Sequence, residues 1–242
     1  MNKHRTLRIL SIDFDLFQNV DINTIMTCYP DGIDLPTKLS SLVWRGHYIR
    51  DEKRIKAVTI NKGMIEELKD LILKNSSHTL PDAMICNSHK NIYDFIHSKI
   101  DGSDYKSLCI DHLDMHHDLF SENKELDCGN WLSFIKNEID TNITWVANRI
   151  SKEVYGLEGQ VFDDIRTDLT DIKNHTWDII FLCRSDNWLP PHLDSDFTDL
   201  AEFIIKNSLS CKGELNILKP RWTPEYQKDI EKQRIQLEKL YA

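Results

Sequence analysis

No stretch of this 242-residue chain approaches the roughly 20 consecutive apolar residues that a membrane-crossing helix requires. The opening residues, Met-Asn-Lys-His-Arg-Thr, lead directly into a strand-like run, so the apolar stretch and small-residue cleavage site of a signal peptide are also missing. A cytoplasmic protein with no membrane partner is the resulting expectation. Paired cysteines are lacking too: six cysteines occur, at 28, 86, 109, 128, 183 and 211, and none forms a Cys-x-x-Cys motif. That argues against a thiolate zinc site. Cys86, Cys109 and Cys183 lie in apolar runs and read as small core residues. Positive charge is in deficit, with 30 Lys and Arg against 39 Asp and Glu and a net charge of −9. A nucleic-acid partner, which needs clustered cations against phosphate, is therefore not expected, whereas a cationic substrate suits the charge. Repeats, low-complexity tracts and linker-like stretches are absent, so residues 1–242 read as a single domain.

What is present is an alternation of two periodicities. Leu7–Ile12, Ala83–Cys86, Leu108–Ile110, Ile143–Val146 and Ile179–Cys183 are short apolar runs of the kind found in strands buried on both faces. Met64–Leu73, Lys90–Ile100, Trp131–Ile139 and Phe197–Ile205 carry apolar residues at helical spacing. The expected fold class is α/β, in three layers, with a mostly parallel sheet and helices on both faces. Thr223-Pro224-Glu225 reads as a cap with proline in the first turn, opening a charged amphipathic helix over about 223–241. That helix is expected to pack on the body or on a second subunit, the latter giving a homo-oligomer. Residues 18–56, with Pro30-Asp31-Gly32, Pro36 and Trp44-Arg45-Gly46-His47-Tyr48, show little periodicity. They read as an irregular insertion, the kind of segment that serves as a lid or substrate loop.

In open α/β sheets ligands bind beyond the carboxyl ends of the strands, and the polar clusters fall there. Asp13 and Asp15 follow the first strand, Ser88-His89 the second, Asp114, His116 and Asp118 the third, and Arg184-Ser185-Asp186 the last. In an extended chain alternate side chains share a face, so Asp114, His116 and Asp118 point one way. Two carboxylates and an imidazole together are a ligand set for Mn²⁺, Fe²⁺, Co²⁺ or Zn²⁺, and carboxylates can bridge two ions. The bland alternative is a solvated turn with chance spacing. Against it, grouped buried carboxylates are costly unless cations neutralise them. His89 at the same edge is a sixth candidate ligand. His112 shares the parity of Asp114 one repeat deeper and reads as a buried supporting residue, while His117 points the other way, towards solvent, with a proton-shuttling role open to it. Asp13-Phe14-Asp15 also resembles the nucleophile loop of haloacid-dehalogenase-type phosphatases, although Phe17 stands where Thr or Val is usual and the histidines are left without a role.

Taken together, the segments Leu10–Phe17, Ser88–Lys90, His112–Leu119, Gly129–Leu132 and Cys183–Asp186 resemble the arginase-type ureohydrolases. The likeness is closer to a divergent arginase-like family that includes the peptide arginases, and it spans about residues 7–200. The order of motifs is permuted: the Asp-x-Asp strand precedes the Asp-x-His-x-Asp strand, whereas in ordinary arginases it follows. The family's guanidinium-facing glutamate and proton-shuttling histidine have no obvious counterpart. The resemblance implies two Mn²⁺ per chain, bridged by Asp114 and Asp13, with His89 and Asp118 completing one ion and His116 and Asp15 the other. An oxygen-rich ligand set with few imidazoles suits manganese independently. It further implies hydrolysis of arginine in a precursor peptide to ornithine and urea, with Asp118 aligning the attacking water. Asp186 is the candidate acceptor for the substrate cation, with Asn130 and Ser185 lining the pocket; the bland readings are caps for Asp186 and Asn130 and core for Trp131. Competing readings are a metal-dependent deacetylase or amidohydrolase on the same fold, and a binding module without catalysis.

Overall fold

In strand β1 (Arg5–Asp13) odd and even apolar residues go to opposite faces: Leu7 and Ile9 join one buried cluster, Leu10 and Ile12 another. The same division splits β8 (Ile179–Cys183), which is buried throughout. A strand apolar on both faces must be covered on both, and here it is. The computed structural model describes residues 5–30, 34–75, 80–120, 124–151, 164–170, 172, 176–213 and 215–241. Asp31 and Gly32, singled out above, lie outside them.

Seven strands form one sheet. Besides β1 and β8 these are β4 (Asp82–Cys86), β5 (Tyr105–Asp114), β6 (Asp140–Ala147), β7 (Asp164–Arg166) and β9 (Ser210–Gly213), in the order β7-β6-β5-β1-β8-β4-β9. Every neighbouring pair is parallel. Helices α3 (Lys62–Asn75) and α6 (Asp194–Lys206) cover one face through Leu68, Ile72, Phe197 and Leu200. Helices α4 (Asn91–Ile100) and α5 (Trp131–Glu138) cover the other through Ile92, Phe95, Trp131 and Ile135. The fold is thus three-layer α/β, as the alternation of periods indicates. A two-residue pairing of β2 (Gln18–Asn19) with β3 (Thr59–Ile60) stands apart.

The segment 18–56 departs from expectation. It contains α1 (Ile22–Cys28) and the 20-residue α2 (Thr37–Lys56), not an irregular loop. Helix α2 buries few residues, Ser40, Trp44, Tyr48 and Ile55, so it lacks a clear apolar stripe. At Asp51 the helix kinks (φ −151°, ψ 64°), and the Asp51 carboxylate accepts from Arg54 N at 3.2 Å, recapping the next turn. Helix α7 (Pro224–Tyr241) starts where the cap predicts, with Thr223 Oγ1 accepting from Tyr226 N at 3.2 Å. It packs on α2, where Arg45 pairs with Asp229 at 3.1 Å and Arg234 with Glu52. With α1 they form a third buried cluster of Ile25, Trp44, Tyr48 and Ile230 that also takes in Met115. No helix among the described residues is long and apolar enough to cross a membrane.

Candidate metal centre

The four strands β4, β8, β1 and β5 are consecutive in the sheet, so their carboxyl ends deliver side chains to one place. Asp13, Asp15, His89, Asp114, His116 and Asp118 all converge there, and all are buried. His89 Nδ1 lies 3.3 Å from Asp13, 3.0 Å from Asp114 and 3.1 Å from Asp118. His116 Nδ1 lies 2.9 Å from Asp15 and 3.3 Å from Asp114. Two groups of donor atoms can each hold a cation: His89, His112, Asp114 and Asp118 in one, Asp15, Asp114 and His116 in the other. Asp114 belongs to both, whereas Asp13, expected to bridge beside it, belongs to neither and faces His89 from outside them.

The convergence does not come from the strand alternation expected of an extended chain. Strand β5 ends at Asp114, and the backbone bends at Met115 and His116. His116 N donates to Asp114 Oδ1 at 2.7 Å, which closes the bend, and Met115 N donates to Asp15 Oδ1 at 3.2 Å, which ties it to the turn after β1. Asp118 then adopts a left-handed backbone (φ 51°) that Asp tolerates better than most residues. Its carboxylate turns back to His89 and accepts from Trp131 Nε1 at 2.5 Å. Ser185 is also left-handed (φ 50°), and its hydroxyl donates to Asp13 Oδ2. Ser11 Oγ and His89 Nε2 are 2.8 Å apart, which aims the other ring nitrogen at the carboxylates.

His112 was read above as a supporting residue. The structure brings its Nε2 to 3.6 Å from Asp114 and 3.9 Å from Asp118, within the first donor group. The parity argument carried this signal, since His112 sits two residues before Asp114, but the depth assigned to it was too great. His117 stands outside both groups. It is half-buried, not exposed; its ring packs on Phe120 at 4.3 Å, and its Nδ1 accepts from Leu119 N at 3.0 Å. Asn130 is a loop brace: its Oδ1 accepts from Asp127 N and its Nδ2 donates to Glu125 O, each at 2.8 Å.

Asp186, expected to receive a substrate cation, instead receives the chain's own. Arg184 Nε donates to it at 2.5 Å, and Arg221 Nη1 lies 3.7 Å away. Burial raises its pKa, but Arg221 and Arg184 outweigh that and hold the carboxyl below its usual range. Arg221 also clamps Asp194 at 2.7 Å and donates to the main-chain oxygens of Asp186 and Leu189. Ser40 Oγ and Trp44 Nε1 reach that same Asp186 oxygen, so α2, the loop after β8 and the start of α7 are fastened together behind the site.

The donor set fits a cation. Asp15 Oδ2, Asp114 Oδ2 and His89 Nδ1 are buried and form no hydrogen bond of good geometry, which is costly unless something else satisfies them. Burial, then the charge of Asp13, pushes Asp15 up to about 8; burial and Asp114 likewise raise Asp13 and hold Asp118 well above the usual range. Burial lowers the His89 pKa, but Asp118, Asp114 and Asp13 overcome it and drive it well above the ordinary value. For Asp114 the same balance tips down, since His116 and His89 outweigh its burial. Burial takes His112 down to about 3, so its imidazole is neutral, with Nε2 donating to the His116 carbonyl at 3.2 Å. Without cations the cluster therefore gathers protons.

A pH dependence follows for the metal-free protein. Groups whose folded pKa is raised stabilise the fold below their unfolded value and lose that contribution as pH rises through the folded value. Asp15 does so from 3.8 to about 8, with Asp13, Asp118 and His89 acting in the same direction. His112 opposes them only below its ordinary 6.5, being neutral in both states above it. Between about pH 6.5 and 8 the melting temperature of chelator-treated protein should fall, each such group adding a slope of up to about 1.4 kcal/mol per pH unit. A flat or rising melting temperature across that window would contradict this. Saturating divalent metal should reverse the trend, because ligands must lose protons to bind.

Among family models, curated proteins and solved structures, none matches this chain.

Proposed function

We propose that the chain is a binuclear manganese hydrolase that converts arginine side chains of a peptide to ornithine and releases urea. The observation that carries this reading is the position of Asp114, whose Oδ2 faces His89 at 3.0 Å and whose Oδ1 faces His116 at 3.3 Å. One carboxylate spanning two donor groups is what a bridging ligand does. Charge balance agrees: Asp13, Asp15, Asp114 and Asp118 carry four negative charges when ionised, and two divalent ions cancel them. Oxygen-rich donors with imidazoles suit Mn²⁺. The motif resemblance to arginase-like enzymes supplies the guanidinium.

On this reading Asp13, Asp15, Asp114 and Asp118, with His89, His112 and His116, hold the ions. Once bound, the ions supply Lewis acidity and activate water for hydrolysis. Asp118, fixed by Trp131 Nε1, accepts the hydrogen bond that aligns the attacking water. Ser185 and Ser11 fix Asp13 and His89, the arrangement through which neighbours of metal ligands tune a site. Trp188, part-exposed and with its ring 4.4 Å from that of His116, flanks the approach.

The test is incubation of Mn²⁺-loaded protein with arginine-containing peptides, free arginine, agmatine and acetyl-lysine peptides. Urea release with a peptide mass loss of urea less water is expected. No urea from any guanidine substrate would overturn the reading, and deacetylation in its place would assign the site to amide hydrolysis.

A further inference from the structure

A cationic side chain entering a metal site needs a countercharge that is not itself a ligand. Asp186 cannot serve, since Arg184 and Arg221 already occupy it. Another carboxylate lies at the same edge. Asp34 belongs to the short segment that leads into α2, and it docks onto the loop after β4. Ser88 Oγ donates to Asp34 Oδ2, and Ser88 immediately precedes His89. Three residues on, Thr37 Oγ1 accepts from Asn87 Nδ2 at 2.9 Å and also hydrogen-bonds Asp186, so the segment is anchored on two strand ends of the site. Cys128 lies in the loop before α5. Burial raises the Cys128 thiol pKa, and the charges of Asp34 and then Asp118 add to the rise, so the thiol lies within electrostatic reach of both carboxylates. Asp34 in turn feels the charges of Asp186 and Asp13.

The partners of Asp34 are few. It is half-buried, its one hydrogen bond among the described residues is from Ser88, and it makes no ion pair there. The charge of Lys90 acts on it, but Lys90 is exposed and points to no closer engagement. We propose that Asp34 is the carboxylate that receives the cationic side chain of the substrate, one oxygen held by Ser88 and the other presented to a guanidinium at the mouth of the metal centre. The assignment deepens the arginine-hydrolase reading and rests on it for the identity of the cation. It gives Asp34, on the way into α2, a task in recognition.

The test separates binding from turnover. Two short peptides are compared, identical except that one carries arginine and the other its neutral isostere citrulline. Their affinities for wild type, Asp34→Asn and Asp34→Glu are measured by calorimetry on the Mn²⁺-loaded proteins. Wild type and Asp34→Glu should prefer the arginine peptide. Asp34→Asn should lose about 10- to 100-fold of that preference, the worth of a charged hydrogen bond, with citrulline affinity and manganese content unchanged. If arginine is preferred but no urea forms, the proposed reaction fails and the role of Asp34 stands. A preference that survives in Asp34→Asn overturns the proposal. So does wild type that does not discriminate, or a variant that loses metal and both peptides alike, which would make Asp34 a support for His89 through Ser88.

Discussion

Asp114→Asn is expected to abolish catalysis, lowering kcat/KM by a thousandfold or more, which is about 4 kcal/mol of transition-state stabilisation. The size follows from Asp114 lying in both donor groups, so that one substitution weakens two ion sites. Folding should survive. Asparagine keeps the side-chain oxygen that closes the bend with His116 N, and the relief of the charge that raises Asp13 and Asp118 offsets the lost pairing with His116 and His89. The metal-free variant should therefore melt within a few degrees of metal-free wild type. The gain in stability on adding Mn²⁺, about 2.7 kcal/mol at a hundredfold excess over Kd, should vanish. Asp15→Asn is the control, because Asp15 serves only the second group, and it should retain one ion. An Asp114 variant that still gains full stability from manganese would contradict the bridging role. Differential scanning calorimetry with and without metal reads both effects.

The largest effect on the fold is expected from Arg221→Met. The Arg221 guanidinium is buried and satisfied by Asp194, the Asp186 and Leu189 carbonyls and the nearby Asp186 carboxylate. Removing it leaves Asp194 without its bidentate partner and the Leu189 carbonyl short of a donor, while the Asp186 carbonyl keeps Ser40 and Trp44. Breaking one side of a buried pair in this way costs about 3–5 kcal/mol, a large fraction of the stability of a domain this size. Urea denaturation should show that loss as a shift in midpoint at constant slope. A change below about 1 kcal/mol would mean that solvent or a shifted side chain replaces the guanidinium. The double substitution Arg221→Met with Asp194→Asn should recover part of the loss, since the orphaned charge is then gone.

The layers of the fold are legible in the chain because buried parallel strands and their covering helices each impose a period. Ile179–Cys183 and Trp131–Ile139 show it plainly. Helix α2 is not legible, because it is held by Trp44 and Tyr48 at their polar tips as well as by apolar packing. Edge strand β9, Ser-Cys-Lys-Gly, is exposed along its length and carries no apolar pattern. The six candidate ligand positions are legible because they follow strands that topology makes neighbours. The left-handed turns at Asp118 and Ser185, which aim side chains at the cluster, have no glycine to announce them. Nor does anything local tie Asp186 to Arg221, 35 residues away, so in sequence a carboxylate already neutralised reads as open to a substrate cation. Asp34 lies outside every motif in sequence, and its hydrogen bond to the site, among the described residues, comes from Ser88.

The central claim is that one buried carboxylate joins two ion sites. Its most direct measurement is a calorimetric titration of chelator-stripped protein with Mn²⁺ near pH 8, paired with elemental analysis of the dialysed product. Two ions per chain are predicted, falling to one in Asp15→Asn and to none in Asp114→Asn. One ion or fewer per wild-type chain would contradict the account.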